Sequence, residues 1–296
     1  MANKRTRDRQ LAKLAARRQQ ERLAAKRRRD IALGVIGTLV AGVLLVVGWR
    51  LLTRDAGEDA GATATPSVSA APSGAPEVTG EVQREVEPPD EVACGGDMPP
   101  TAGDPRPQYS HAPGADLLDP DVRYRATVET SCGTIVLDLD ARRAPLAVSS
   151  FVFLSREGFY DGLTVHRVAT DYVIQAGSSQ GGGQGGPGYT FADELGGRMR
   201  YEVGTLAMAN AGANTNGSQW FIVSGPEGSN LDQIPNYTIF GEVVDGLDVV
   251  ETINDLPVVD GTDRPTQAVY IGSVTIDERP VAQGPDGASP TPGDEP

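Results

Sequence analysis

Apolar and polar residues alternate through "VRYRATVETSCGTIVLDLD", on both sides of Cys132–Gly133. This period of two predicts a pair of strands joined as a β-hairpin. The period changes in "APLAVSSFVFLSREGFYDG", where Ala147, Phe151 and Leu154 recur at helical spacing, Pro145 stands near the start and Gly158 follows the last turn. That stretch predicts an amphipathic helix. Short strand-like runs follow at "LTVHRV", "YVIQAG", "GTLAMA", "QWFIV" and "YTIFGEVV", then a second helical stretch, "GLDVVETINDL", and a last strand, "AVYIGSVTI". Many short strands with two helices at separated points predict a mainly β domain over about 122–277, a closed antiparallel sheet capped by helices. No internal repeat is present.

One hydrophobic run follows neither period. "IALGVIGTLVAGVLLVVGW", Ile31 to Trp49, has nineteen residues and no charge, roughly 28 Å of helix and close to a bilayer core. A buried core helix would show a polar face, whereas this run is apolar all round. A cleaved signal peptide would be shorter and closely followed by a small-residue site, and "ATA" at 62–64 lies too far along. The run therefore predicts a single transmembrane anchor.

Charge gives the anchor a direction. Residues 1–30 carry twelve Lys or Arg against three acids, and from Asp55 onward there are twelve Arg, no Lys and 37 acids. The basic side is expected in the cytoplasm and residues 50–296 outside it. A basic run of this kind sets topology and meets anionic head groups, so no nucleic-acid partner is expected. Residues 50–90, rich in Ala, Gly, Pro, Ser, Thr and Glu, predict a flexible, disordered linker. Residues 91–121 predict an irregular lead-in, and 278–296 a disordered tail. Cys94 and Cys132 both fall on the outer side, where an even pair is compatible with a disulfide. Two unpaired thiols are the other reading, and two residues are too few for a zinc site.

The domain holds little conventional catalytic equipment. His166 is its one histidine, so Ser/His/Asp or Cys/His hydrolysis would rest on that residue alone; a packed structural role suits it better. "GGGQGGPG" at 181–188 lacks the Lys-Ser/Thr of a phosphate loop and reads as a flexible surface loop. Asp193–Glu194 reads as a solvated turn, and no metal or cofactor is expected. What remains is Arg167 in "TVHRV", Gln175 in "VIQAG", and the amide-rich "MANAGANTNGSQWFI".

This set, with "GFYDGLTVHRV", "GGPGYTFADE", "GTLAMANAGANTNGSQWFI" and "YTIFGEVVDGLDVVETI" in the same order, resembles the cyclophilin family of peptidyl-prolyl cis-trans isomerases over about 124–277. The resemblance implies an eight-stranded antiparallel barrel closed by two helices. It implies that Arg167 is the catalytic arginine, oriented by Gln175. Ala209 and Asn210 would hold an extended substrate through their backbone, Gln219 would add a polar contact, and Tyr172, Val173, Phe221, Leu231 and Tyr237 would form an apolar proline pocket. The partners implied are Pro-containing polypeptides, with a cyclosporin-type ligand as a further candidate. Tyr172, Val173, Tyr237 and Asn230 depart from the residues common in the family, which bears on ligand and substrate preference more than on activity. Two functions are weighed: an anchored extracytoplasmic isomerase that assists folding of exported proteins, and a binding module that holds a Pro-containing segment with little turnover.

Overall fold

The computed structural model describes residues 75–197 and 199–280. The basic segment, the anchor, the linker up to residue 74 and the tail from 281 lie outside the described residues. Among the described residues no helix is long and apolar enough to cross a membrane.

Ten strands and two α-helices make up the described chain: β1 (Val78–Val82), β2 (Arg106–Tyr109), β3 (Val122–Thr130), β4 (Gly133–Leu139), α1 (Pro145–Arg156), β5 (Arg167–Ala169), β6 (Val173–Ala176), β7 (Thr205–Met208), β8 (Trp220–Val223), β9 (Ile239–Asp245), α2 (Leu247–Asn254) and β10 (Ile271–Pro280). The alternating stretch forms the β3–β4 hairpin, in register from Tyr124–Leu139 to Thr130–Gly133. Eight strands build one sheet in the order β10-β3-β4-β9-β7-β8-β6-β5, every pairing antiparallel.

The expected closed barrel is a half-barrel. Its end strands, β10 and β5, do not pair. Only an isolated bridge between Thr164 and Tyr270 and backbone hydrogen bonds such as Ile271 N–H to Leu163 C=O, 2.8 Å, tie the chain before β5 to the start of β10. The spacing of strand-like runs counts strands but cannot say whether the last meets the first.

Helix α1 is less amphipathic than its spacing predicts, since every residue from Ala147 to Ser155 is buried. The sheet takes one side. The lead-in takes the other: Tyr109 stacks edge-on against Phe153 at 4.9 Å, and Ser149 Oγ–H donates to the Gly114 carbonyl at 2.6 Å. Pro145 occupies the first turn without a capping side chain from the preceding residue. The first-turn donors are satisfied from a distance, because the Glu194 carboxylate accepts from Leu146 N–H and Ala147 N–H, each at 3.0 Å. Glu194, read with Asp193 as a solvated turn, thus caps a helix.

The expected linker and lead-in are also more ordered than their composition predicts. β1 pairs with β2, so among the described residues regular structure begins at Val78, inside the segment assigned to the linker. Cys94 and Cys132 are joined, Cα to Cα 5.0 Å, fixing the lead-in to the turn of the β3–β4 hairpin. β10 runs to Pro280, three residues into the expected tail.

Candidate active site

The period of two along the strands sorts the sheet into two faces. Register places Arg167 opposite Gln175, Gln175 opposite Phe221, Phe221 opposite Ala207 and Ala207 opposite Ile239. One row across five strands therefore carries all five residues on one face. The next residues in sequence, Val168, Ile174, Ile222 and Leu206, point the other way into the main core with Phe151 and Phe240.

A second apolar cluster covers the Arg167 face. Val173, Phe221 and Leu231 are buried in it with Tyr201, Ala207 and Ile239, and Tyr172, Ala209 and Tyr237 pack against its edge. Phe221 and Tyr237 meet edge to face at 5.4 Å. All five residues expected to line a proline pocket are therefore neighbours. The cysteine pair belongs elsewhere, with Cys132 against the main core.

Polar side chains form a connected line beside this cluster. Gln175 Oε1 lies 3.5 Å from Arg167 Nη1, a long contact. Gln175 Nε2–H donates to Gln219 Oε1 at 3.1 Å, and Gln219 Nε2–H donates to the carbonyls of Gly183 and Gly185 at 2.9 and 3.2 Å. The glycine-rich loop is thus tethered to the site. Its neighbour Gly177, at φ 86°, lies where a Cβ would come within 2.2 Å of the Ser218 carbonyl, so β6 and the chain entering β8 can approach only through a glycine.

The amide-rich stretch supplies backbone and loop geometry. Ala209 N–H donates to the Gln219 carbonyl at 2.9 Å. Asn210 uses both ends of its side chain internally, Nδ2–H to the Asn236 carbonyl at 2.9 Å and Oδ1 from Gly212 N–H at 3.2 Å. What Asn210 presents to a ligand is then chiefly main chain. Asn214 and Asn216 hold Asp193, next to the helix-capping Glu194.

Two contributors carry no signal in the sequence pattern. Asp263 Oδ2 lies 3.0 Å from both Nε and Nη2 of Arg167. Its position is fixed by its own carbonyl, which accepts from Val168 N–H at 2.7 Å. Tyr201, fully buried, donates its hydroxyl proton to the Tyr237 carbonyl at 2.7 Å and accepts from Tyr237 N–H at 3.1 Å.

His166 and Tyr172 add no charge beside the Arg167–Asp263 pair. Burial, with help from the Arg167 charge, holds the His166 imidazole down at about 4, so it is neutral near pH 7 and its nitrogens are enclosed. Burial also raises the Tyr172 phenol. Among the described residues no group of three or more His, Cys, Asp or Glu side chains is placed to hold a metal ion. A cavity of about 1180 Å³ lies between the β3–β4 and β7–β9 regions and contains none of the expected site residues.

Comparison with known proteins places the chain in a family. The family model described as cyclophilin type peptidyl-prolyl cis-trans isomerase/CLD matches residues 125–276. Peptidyl-prolyl cis-trans isomerase-like 3 of Rattus norvegicus is 37% identical over 161 residues, 53% of this chain and 98% of the relative. Peptidyl-prolyl cis-trans isomerase A of Mycobacterium tuberculosis is 42% identical over 169 residues, 51% of this chain and 91% of the relative. A crystal structure of a Cryptosporidium parvum cyclophilin type isomerase is 30% identical, with a TM-score of 0.49, covering 53% of this chain and 99% of that one. The chain belongs to the cyclophilin type peptidyl-prolyl cis-trans isomerase family.

Proposed function

We propose that this protein isomerises X–Pro bonds in polypeptides at the face defined by Arg167, Gln175 and the apolar cluster around Phe221. Rotation about X–Pro meets a barrier of roughly 18–20 kcal/mol, because the amide nitrogen shares its lone pair with the carbonyl, and it takes tens to hundreds of seconds unaided. No covalent bond breaks and no proton has to move between protein and substrate. The useful contributions are a donor for the nitrogen lone pair that localises as the amide twists, and a dry surface that fits the twisted form better than either planar one. A guanidinium is charged at every relevant pH and carries five donors in a rigid fork.

The observation that carries this reading is the cross-strand row. Arg167 and Phe221 stand on either side of Gln175 on one face of the sheet, so a proline ring over Phe221 lies beside the guanidinium. Ala209 and Asn210 then offer backbone to the extended peptide, and Gln219 adds a polar contact. Leu231, Val173, Tyr172 and Tyr237 enclose the ring. The test is a coupled or magnetisation-transfer assay of an Ala-Pro peptide with the full chain: acceleration over the spontaneous rate supports the proposal, and the spontaneous rate from a folded sample contradicts it. Competition by a cyclosporin-type ligand reports whether the same apolar pocket holds the proline.

A second reading, a module that holds a Pro-containing segment with little turnover, is motivated by the altered pocket rim at Asn230 and Tyr237. The same assay separates the two, since the module binds the peptide without accelerating its isomerisation.

The site of action belongs to the same proposal. The basic run at 1–30 and the apolar run at 31–49 support an anchored protein whose domain faces away from the cytoplasm, and a disulfide at Cys94–Cys132 suits that compartment. Exported chains emerging there have prolines whose isomerisation limits folding.

A further inference from the structure

A strap of chain outside the family-matched residues lies beside Arg167. Residues 84–93 are pinned along their length. Arg84 Nη2–H donates to the carbonyls of Ala102 and Gly162 at 2.7 and 3.0 Å. Glu85 N–H and Val86 N–H both donate to the Gln180 carbonyl, at 2.9 and 3.0 Å, and Gln180 Nε2–H returns to the Glu85 carboxylate at 2.8 Å. The Arg264 guanidinium donates to the Glu87 carbonyl. Ala268 N–H donates to the Glu91 carbonyl at 2.7 Å, Ala93 N–H donates to the Ala268 carbonyl at 2.9 Å, and the disulfide follows at Cys94.

The glycine-rich loop is shaped to receive this strap. A Cβ at Gly181 would come within 2.5 Å of the Val86 carbonyl oxygen, and one at Gly182 within 3.0 Å of the Val86 side chain. Strap and sheet residues together line a cavity of about 310 Å³, with Val86, Pro88, Pro89 and Pro265 on it beside His166, Arg167 and Gln175. Of the charged residues that line it, Arg167 is paired with Asp263 and Arg264 donates to the Glu87 carbonyl, and Glu87 also lines it. That size is at the lower end for a small-molecule site and suits one side chain. Its walls are mostly hydrocarbon.

Sheet order fixes which part of a peptide would reach it. Ala209 and Asn210 follow β7, Phe221 lies on β8, Gln175 on β6 and Arg167 on the end strand β5. Residues 91–93 of the strap bond Ala268, and the segment around Ala268 bonds Val165 and Val168 through Val269 and Asp263 at the free edge of β5, so the strap lies past β5, on the opposite side of Arg167 from Ala209 and Asn210. We propose that residues 84–93 are a third wall of the substrate groove, and that the cavity they enclose is a subsite for a large apolar side chain on one flank of the substrate proline, the flank leading away from Ala209 and Asn210. The subsite deepens the isomerase reading and rests on it for the placement of the proline.

Peptides carrying either Leu or Gly at each position flanking a central Ala-Pro test this with the full chain. Wild type is expected to favour Leu over Gly about tenfold in kcat/KM on one flank only. The double variant Pro88→Gly, Pro89→Gly and, separately, Val86→Ala are expected to reduce that ratio to threefold or less; the ratio, rather than the absolute rate, is the readout. Peptide affinity measured by fluorescence anisotropy gives the same Leu-to-Gly comparison independently of turnover. Turnover with no flank preference, equal preference on both flanks, or a preference untouched in both folded strap variants overturns the subsite. Leu-selective binding without turnover supports the subsite and overturns the isomerase reading instead.

Discussion

The carboxylate of Asp263 grips Arg167 along one edge, with Oδ2 3.0 Å from both Nε and Nη2. Gln175 stands at the other end, 3.5 Å from Nη1, and the Tyr172 ring centroid lies 6.0 Å from the guanidinium carbon. The guanidinium is therefore held from two sides. Under the proposed function Asp263 is a positioning residue, acting through Arg167.

Removal of that grip is expected to slow turnover without unfolding the protein. Asp263→Ala should lower kcat by about three- to tenfold, the equivalent of about 0.7–1.4 kcal/mol, with KM little changed. Asp263→Asn should recover part of the loss, because its amide oxygen still accepts from Nε. Both partners are partly exposed, so thermal stability should shift by less than about 1 kcal/mol. A parallel fall in melting temperature and activity, without rescue by Asn, would point to a structural role only.

Tyr201 tests the rim of the pocket. Its hydroxyl serves both the N–H and the carbonyl of Tyr237, and Tyr201→Phe leaves both groups unpaired next to an apolar cluster. Denaturant unfolding should show a loss of about 1–3 kcal/mol. KM for a Pro peptide should rise more than kcat falls, because Tyr237 packs on Phe221.

His166 gives the stability a pH dependence of known sign. Its folded value is held near 4 against an ordinary 6.5, chiefly by burial. Between these values the unfolded chain binds the proton and the folded chain does not, so stability falls as pH drops from about 6.5 towards 4, by on the order of 1–3 kcal/mol. Asp161 and Glu194, raised by burial, act in the opposite direction. Comparison of pH-dependent melting between wild type and His166→Gln isolates the histidine, and the slope should flatten in the variant.

The disulfide closes a separation of 38 residues, and its loss is expected to cost about 2–4 kcal/mol. Cys94→Ala with Cys132→Ala, followed by chemical denaturation, measures that cost. The same variant should weaken the flank preference at the strap more than turnover of a Gly-flanked peptide, since the disulfide anchors the lead-in and not the row through Arg167.

Local pattern reveals some of these features and hides others. The β3–β4 hairpin and α1 follow periods written into a dozen or so consecutive residues. The two faces of the sheet also follow from alternation once the strands are known, which is why Arg167, Gln175 and Phe221 fall together. The lead-in has no such period. It is held by single long-range contacts, such as the buried Arg106 guanidinium donating to the Asp161 carbonyl at 2.5 Å, and a Pro- and Asp-rich composition does not announce them. Asp263 lies in "DGTDRPT", which reads as an ordinary turn. Only the return of that turn to Val168 brings its carboxylate to Arg167. Whether the sheet closes depends on contacts between its first and last strands, far apart in the chain.

The most direct measurement is prolyl isomerisation by the full chain with Arg167, Arg167→Lys and Arg167→Ala, alongside peptide affinity for each. If the guanidinium acts on the twisting amide, kcat/KM should fall by at least about a hundredfold in Arg167→Ala and remain low in Arg167→Lys, whose ammonium lacks the fork, while peptide affinity changes by less than about tenfold. Wild-type turnover in a folded Arg167→Ala protein would contradict it.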